Sequence, residues 1–383
     1  MKGAKAMLIL FAVPMGMAFG GETEPTDAAF WAKAAEAHTV MWRDYIDPQT
    51  FQVYTFLSPR TRRPLLRSYA DVAANKPGAW GTALENCALD GGAYLGALVD
   101  RYAVTGRPEH AEEARKIYQG LRLIAEAAAR RGCIPRGVMP DGRAHYPESS
   151  ADQYTMYVYG LWRYYRSGIP TEREKEEIRA ILDSVLKRLE EDNFVILTDA
   201  GGPTKFGDLD RLAPSRAERL LAIVLAGADV TGEAHWRDVY LRLREPRLKH
   251  CRGLGGQPWV LVQNQMAFFL LRHLEQDPDI RKVYEAGSLE AARACAPYLK
   301  RCAPNAGERE FVDTVMNPLE AALTITLTED RECIAQHLAD IKTVITAYDY
   351  TRPLRGKILF VNGVRPVECI VWSLARQRIV AAP

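Results

Sequence analysis

Pro147-Glu148-Ser149-Ser150-Ala151-Asp152-Gln153-Tyr154 and the run that overlaps it, YTMYVYGLWRYYRSG (154–168), decide the fold. The second stretch has apolar and aromatic residues on more than one face, so as a helix it is buried over most of its circumference. Its N-terminus nevertheless carries Glu148, Asp152 and Gln153, which are costly to bury without a partner or a function. The same design occurs earlier, where Asn86-Cys87-Ala88-Leu89-Asp90-Gly91-Gly92 opens AYLGALVDRYAVTG (93–106). Two buried helices that each begin with an aspartate set the pattern for the rest of the chain.

Working outward, each apolar helix is followed by a tight turn, an amphipathic charged helix and a long Gly/Pro-rich loop. Thr105-Gly106-Arg107-Pro108 and Ser167-Gly168-Ile169-Pro170 are two of the turns, and TEREKEEIRAILDSVLKRLEED (171–192) is one of the charged helices. The apolar members open near Asp90, Asp152, Ser215, Gln263, Asn317 and Val367. A period of roughly 50–60 residues marks repeated supersecondary units. The helix predicted over 27–46 supplies the outer partner of the last apolar helix, so 28–46 should pack near 367–380 and close a ring. The count predicts an all-α (α/α)6 toroid of twelve main helices, with long loops and short strands at one mouth. An open solenoid is the alternative, but its loops are short at both ends.

The chain has 383 residues, 48% of them hydrophobic, and a net charge of +2. Such a chain buries a large core, and its interspersed charges do not point to nucleic acid or an anionic membrane. Residues 1–20 read as a secretory signal, with Lys2 and Lys5 before an apolar run and small residues at Ala18 and Gly20. An uncleaved anchor is the other reading of that segment. Residues 21–383 are then expected to form one catalytic domain, periplasmic or secreted, with no membrane contact after cleavage. Seven cysteines lack any CxxC pair, so they read as buried free thiols, although Cys295 and Cys302 could pair. Sequence leaves the oligomeric state open.

In such a ring every inner helix begins at the long-loop mouth, with its N–H groups and positive dipole end facing inward. Residues at these starts and in the preceding loops converge there: Trp80, Glu85, Asn86, Asp90, Arg136, Arg143, His145, Tyr146, Glu148, Asp152 and Gln153. Lys205, Asp208, Asp210, Arg216, Trp259, Gln263, Asn264, Gln265, Asn317, Arg352 and Arg355 join them. Aromatic faces, carboxylates and arginine forks together suit an oligosaccharide, especially one bearing a carboxylate. Each has a plainer explanation: Asp90 and Asp152 as helix-start residues, Glu148 as a solvated loop acid, and Trp80 and Trp259 as core residues. No second ligand stands at metal spacing from His145, and GGPTKFGD (201–208) lacks the spacing of a phosphate loop. No metal, nucleotide or flavin cofactor is expected.

With its six helix pairs over about 28–380 and its two aspartates opening successive inner helices, the chain resembles the six-hairpin glycosidases. Within them it is similar to the unsaturated glucuronyl and rhamnogalacturonyl hydrolases. The resemblance implies that Asp152 is the general acid/base and that Asp90 assists it. Substrate contacts would come from Trp80, Arg136, His145, Tyr146, Glu148, Gln153, Asp208, Arg216, Trp259 and Gln263. The families' histidine on the following hairpin is not found; Lys205, Asp208 and Arg216 occupy that region. Several chemistries stay open: protonation and hydration of an unsaturated uronic acid, ordinary hydrolysis by an acid pair, a lyase using Tyr146 or His145, and glycan binding without catalysis.

Overall fold

The computed structural model describes residues 25–76, 78–303, 312–348 and 359–383. The signal segment and two of the expected mouth residues, Arg352 and Arg355, lie outside them. Six helices form the inner ring: α3 (Cys87–Thr105), α5 (Ala151–Arg166), α7 (Ala217–Thr231), α9 (Pro258–Leu274), α11 (Asn317–Thr326) and α13 (Arg365–Arg376). Each touches the next, and α13 returns to α3, so the ring is closed. The outer layer is α4 (Pro108–Ala127), α6 (Glu172–Glu191), α8 (Ala234–Arg247), α10 (Pro278–Leu299), α12 (Arg331–Ala347) and α1 (Asp27–Val40). A short α2 (Tyr69–Ala73) lies in the loop before α3.

The two layers follow from composition. Inner helices α3, α7 and α11 are buried nearly end to end, whereas α6 buries only Ile178, Leu182, Val185, Leu186 and Leu189 on one face. The outer helices carry the stronger capping signals. Thr171 and Glu174 form a reciprocal capping box at the start of α6, and Asp277 and Asp330 cap α10 and α12. Closure rests on α1, whose Trp31 ring lies 5.1 Å from that of Trp372 on α13, while its indole N–H donates to the Ala381 carbonyl at 3.0 Å.

The tightest seam joins α3 to α5. A Cβ on Gly92 would lie 2.1 Å from the Met156 carbonyl oxygen, and one on Gly160 would lie 2.4 Å from the Gly92 carbonyl oxygen. Only glycine allows that approach, which brings the starts of the two helices side by side. At the opposite end, Asp100 pairs with Arg163 and with Arg376 (2.6 Å), and Arg376 also pairs with Glu329. This ion cluster ties α3, α5 and α13 together at the end away from the mouth.

Short strands trim that mouth. β1 (Phe56–Leu57) pairs antiparallel with β4 (Leu359–Phe360), and β2 (Val195–Leu197) with β3 (Pro203–Asp208). Most of the GGPTKFGD segment (201–208) is one arm of that second hairpin. All seven cysteines are free thiols, five of them buried. No helix among the described residues is long and apolar enough to cross a membrane.

Candidate active site

The mouth holds a cavity of about 630 Å³, within the range of small-molecule sites. All six inner helices, together with the turn before α13 and the β2–β3 hairpin, supply its walls. Near one rim, Arg136 is buried, with both terminal nitrogens bonded to the scaffold. It donates to the Glu85 carbonyl (2.9 Å), to Asn86 Oδ1 (3.3 Å) and to Ser150 Oγ (3.0 Å), and so ties the loop before α3 to the start of α5. Above its guanidinium, 4.5 Å from the carbon, lies the ring of Trp80, which also meets Phe206 edge-on at 5.8 Å. Trp80 and Trp259 are each 42% exposed and line the cavity, so both are wall residues rather than core.

Asp152, in the first turn of α5, lines the same wall, and its carboxylate accepts from Ser150 Oγ and from the Gln153 N–H (3.1 Å). Glu85 stands beside it. Burial pushes the Glu85 carboxyl up; the Gly81 N–H and the Arg136 charge work against this, and the Asp152 charge adds to it. The wall therefore presents two neighbouring carboxylates, one of which holds its proton above the usual glutamate range.

Asp90 is not on the wall. It is the fourth residue of α3 and therefore lies a turn below the mouth, fully buried, with Thr55 Oγ1 donating to it at 3.3 Å and Arg365 Nε 3.5 Å away. Burial pushes its carboxyl to about 7, the nearby Glu320 charge adds to the shift, and Arg365 opposes it. Arg365, Glu320 and Asn362 form the floor of the cavity above it. Glu320 Oε1 accepts from Arg365 Nη2 at 2.7 Å and from Asn362 Nδ2 at 2.9 Å, and burial pushes the Glu320 carboxyl up as well.

The other expected site residues divide. Arg216 and Gln263 line the cavity. Gln263 does so from the second turn of α9, which starts at Pro258, rather than from a helix start. Gln153 lies behind the wall: its side-chain oxygen accepts from the Leu89 N–H (3.0 Å) and its amide donates to Asn86 Oδ1 (2.8 Å), locking α5 to α3. Glu148, His145, Tyr146 and Asp208 also lie away from the cavity. Glu148 accepts from Asn75 Nδ2 at 3.4 Å, and Asp208, at the end of β3, accepts from the Arg211 backbone N–H at 3.1 Å. His145 is held between the Arg143 carbonyl (2.9 Å) and Asp199 (3.0 Å), and Asp199 itself caps the Ala129 and Arg130 N–H groups. Tyr146 is buried. His145 and Tyr146 sit in the right loop but face the scaffold, because a loop backbone turns its side chains both ways.

Several wall residues are absent from the sequence reading: Phe206, Arg211, Arg219, Glu320, Phe360, Asn362 and Arg365. Arg219, Glu320 and Arg365 are charged residues within otherwise apolar helix starts, and that misfit was the available signal. Arg219 is buried and donates to Asn264 Oδ1 at 2.8 Å; burial lowers its guanidinium to about 10. Arg211 and Arg216 differ from Arg136, Arg219 and Arg365, whose guanidiniums donate hydrogen bonds to other segments of the scaffold. Neither has an ion pair among the described residues, and the one side-chain hydrogen bond of Arg216 is a 3.5 Å contact to the adjacent Ser215 carbonyl. Five arginines against three carboxylates make the lining cationic. Among the described residues no group of three or more His, Cys, Asp or Glu is placed to hold a metal ion.

No protein-family model and no curated protein matches this chain. Solved structures match it over nearly its whole length. A sugar epimerase from a ruminal bacterium superposes with a TM-score of 0.57 at 11% identity, covering 93% of this chain and 99% of that one. A family 76 glycoside hydrolase from a bovine Bacteroides thetaiotaomicron strain gives 0.55 at 10% identity, over 92% and 79%. Cellobiose 2-epimerase from Spirochaeta thermophila gives 0.53 at 13% identity, over 93% and 99%. With its closed double ring of six helix pairs, this chain has the (α/α)6 toroid fold, and its likeness to these solved structures is one of fold.

Proposed function

We propose that this protein is a carbohydrate-active enzyme, a glycoside hydrolase acting on oligosaccharides that contain a uronic acid. The observation that carries the reading is the wall where Asp152 and Glu85 stand together beneath Trp80, in a cavity whose lining is cationic. Trp80 offers its exposed face to the C–H face of a sugar, while Arg136 occupies the ring from the protein side. Arg211 and Arg216 take the sugar carboxylate, since the other cavity arginines are bonded to the scaffold.

Asp152 is the general acid/base. It passes a proton to the leaving oxygen or takes one from the attacking water, a role that contributes roughly 10²–10⁴ in rate. Glu85, the wall carboxyl that holds its proton more readily, stands beside Asp152 as a second group able to donate a proton. Asp90 assists from behind by holding Arg365 rather than by touching substrate. The neighbours whose names include glycoside hydrolase and epimerase support a saccharide ligand, and the wall carboxylates favour hydrolysis.

The test offers wild type and Asp152→Asn two substrate sets: lyase-generated unsaturated oligosaccharides, followed by loss of ultraviolet absorbance, and saturated uronate-containing glycans, followed by new reducing ends. Reducing ends from saturated glycans, or absorbance loss from unsaturated ones, abolished in Asp152→Asn, supports hydrolysis and assigns its type. A gain of absorbance on intact polymers would mean a lyase. Sugar binding without turnover would leave a glycan-binding protein.

A further inference from the structure

Resting on the saccharide reading of the cavity, we infer that its floor is a hydroxyl-recognising subsite in which Glu320, Asn362 and Arg365 bind two adjacent hydroxyls of one sugar ring. Three observations carry this. The three side chains line the cavity, and each is at least nine-tenths buried. Each also keeps a buried polar atom with no partner among the described residues: Glu320 Oε2, Asn362 Oδ1 and Arg365 Nη1. The orientation of Asn362 follows from its neighbour. Its amide nitrogen must face Glu320 Oε1 at 2.9 Å, which leaves the amide oxygen as the spare acceptor.

With Arg365 Nε turned to Asp90 at 3.5 Å, the remaining unpaired groups comprise two acceptors and one donor. A vicinal diol supplies the complement, two O–H donors and an oxygen that accepts. A carboxylate supplies only acceptors and would meet Glu320 directly. The local charge points the same way, because Arg365 already serves two carboxylates, Glu320 at 2.7 Å and Asp90 at 3.5 Å. The floor thus selects neutral hydroxyls, and the anionic group is left to Arg211 and Arg216 near the mouth. A sugar lacking one of the two hydroxyls strands a buried polar group, which is the most discriminating kind of mismatch.

The experiment measures binding of methyl glucuronide, methyl mannoside and their monodeoxy counterparts to the full-length protein by calorimetry. In wild type, removal of either of two adjacent hydroxyls should weaken binding about ten- to a hundredfold, and removal of the others should matter little. Asn362→Ala, checked for folding by circular dichroism, should bind the parent more weakly and lose most of the discrimination between parent and deoxy sugar. Deoxy sugars that bind wild type as tightly as their parents overturn the subsite while leaving the saccharide reading intact. Folded wild type that binds none of the sugars overturns both. The ligand series on unaltered protein decides the matter even if the variant fails to fold.

Discussion

Arg365 holds its Nε 3.5 Å from Asp90 Oδ1, with both residues buried, so the aspartate that opens the first inner helix faces a guanidinium rather than the cavity. The pair sets a residue at the expected helix start against the scaffold instead of the open cavity. Asp90 orients the arginine that in turn holds Glu320 in the cavity floor.

The stability of the fold should respond to Asp90 with a defined sign. Its folded-state carboxyl lies near 7, above the unfolded value of 3.8, so its contribution is fully present below about pH 4 and is lost as pH rises through 7. Asp90→Asn carries no such loss. Relative to wild type the variant should gain on the order of 1–3 kcal/mol between pH 5 and pH 8 in denaturant titrations. An unchanged difference across that range would show that Asp90 titrates normally.

Asp152→Asn should lower kcat by roughly 10²–10⁴ while changing stability by about 1 kcal/mol or less, because asparagine keeps the size and the helix-start role. Paired kinetics and thermal melts check both halves. A large stability loss with residual activity would return Asp152 to a purely structural role.

Arg216→Gln and Arg211→Gln should raise KM for an acidic oligosaccharide about tenfold each, with little change for a neutral one. Wild-type KM should itself rise with salt, because exposed charges are screened over about 10 Å at 0.1 M. Equal effects on acidic and neutral sugars would argue against carboxylate binding there.

His145→Ala should leave turnover within a few-fold of wild type and lower stability by about 1–2 kcal/mol, through loss of the Asp199 contact. Burial alone would depress the imidazole, but the Asp199 hydrogen bond and charge, with the Arg143 carbonyl, raise it overall. That stabilisation should be present below pH 6.5 and fade as pH rises through the raised value. Abolished turnover in a stable variant would revive a catalytic histidine.

Gly92→Ala should destabilise the protein by about 1–3 kcal/mol, since its methyl would lie 2.1 Å from the Met156 carbonyl oxygen. Comparison of melting curves with those of Gly106→Ala, at a turn where added bulk meets nothing but the backbone is left-handed, separates crowding from backbone strain.

The ring was legible in the chain itself. Alternation of wholly apolar and one-sided charged helices, with tight turns between partners, requires two layers, because only a helix surrounded by others can be apolar all round. The same reasoning brought Asp152, Trp80, Trp259, Arg136 and Arg216 to the mouth, since the starts of inner helices gather there. It could not separate them from Asp90, Gln153 or His145. Whether a residue near a helix start faces the cavity or the scaffold depends on the rotation of that helix about its axis, and close packing against neighbours sets that rotation. Gly92 against Met156 turns α3 so that Asp90 lies beneath the floor, whereas the second residue of α5 reaches the wall. The floor itself joins residues more than forty positions apart, Glu320 with Asn362 and Arg365, and only the closure of the ring brings them into contact.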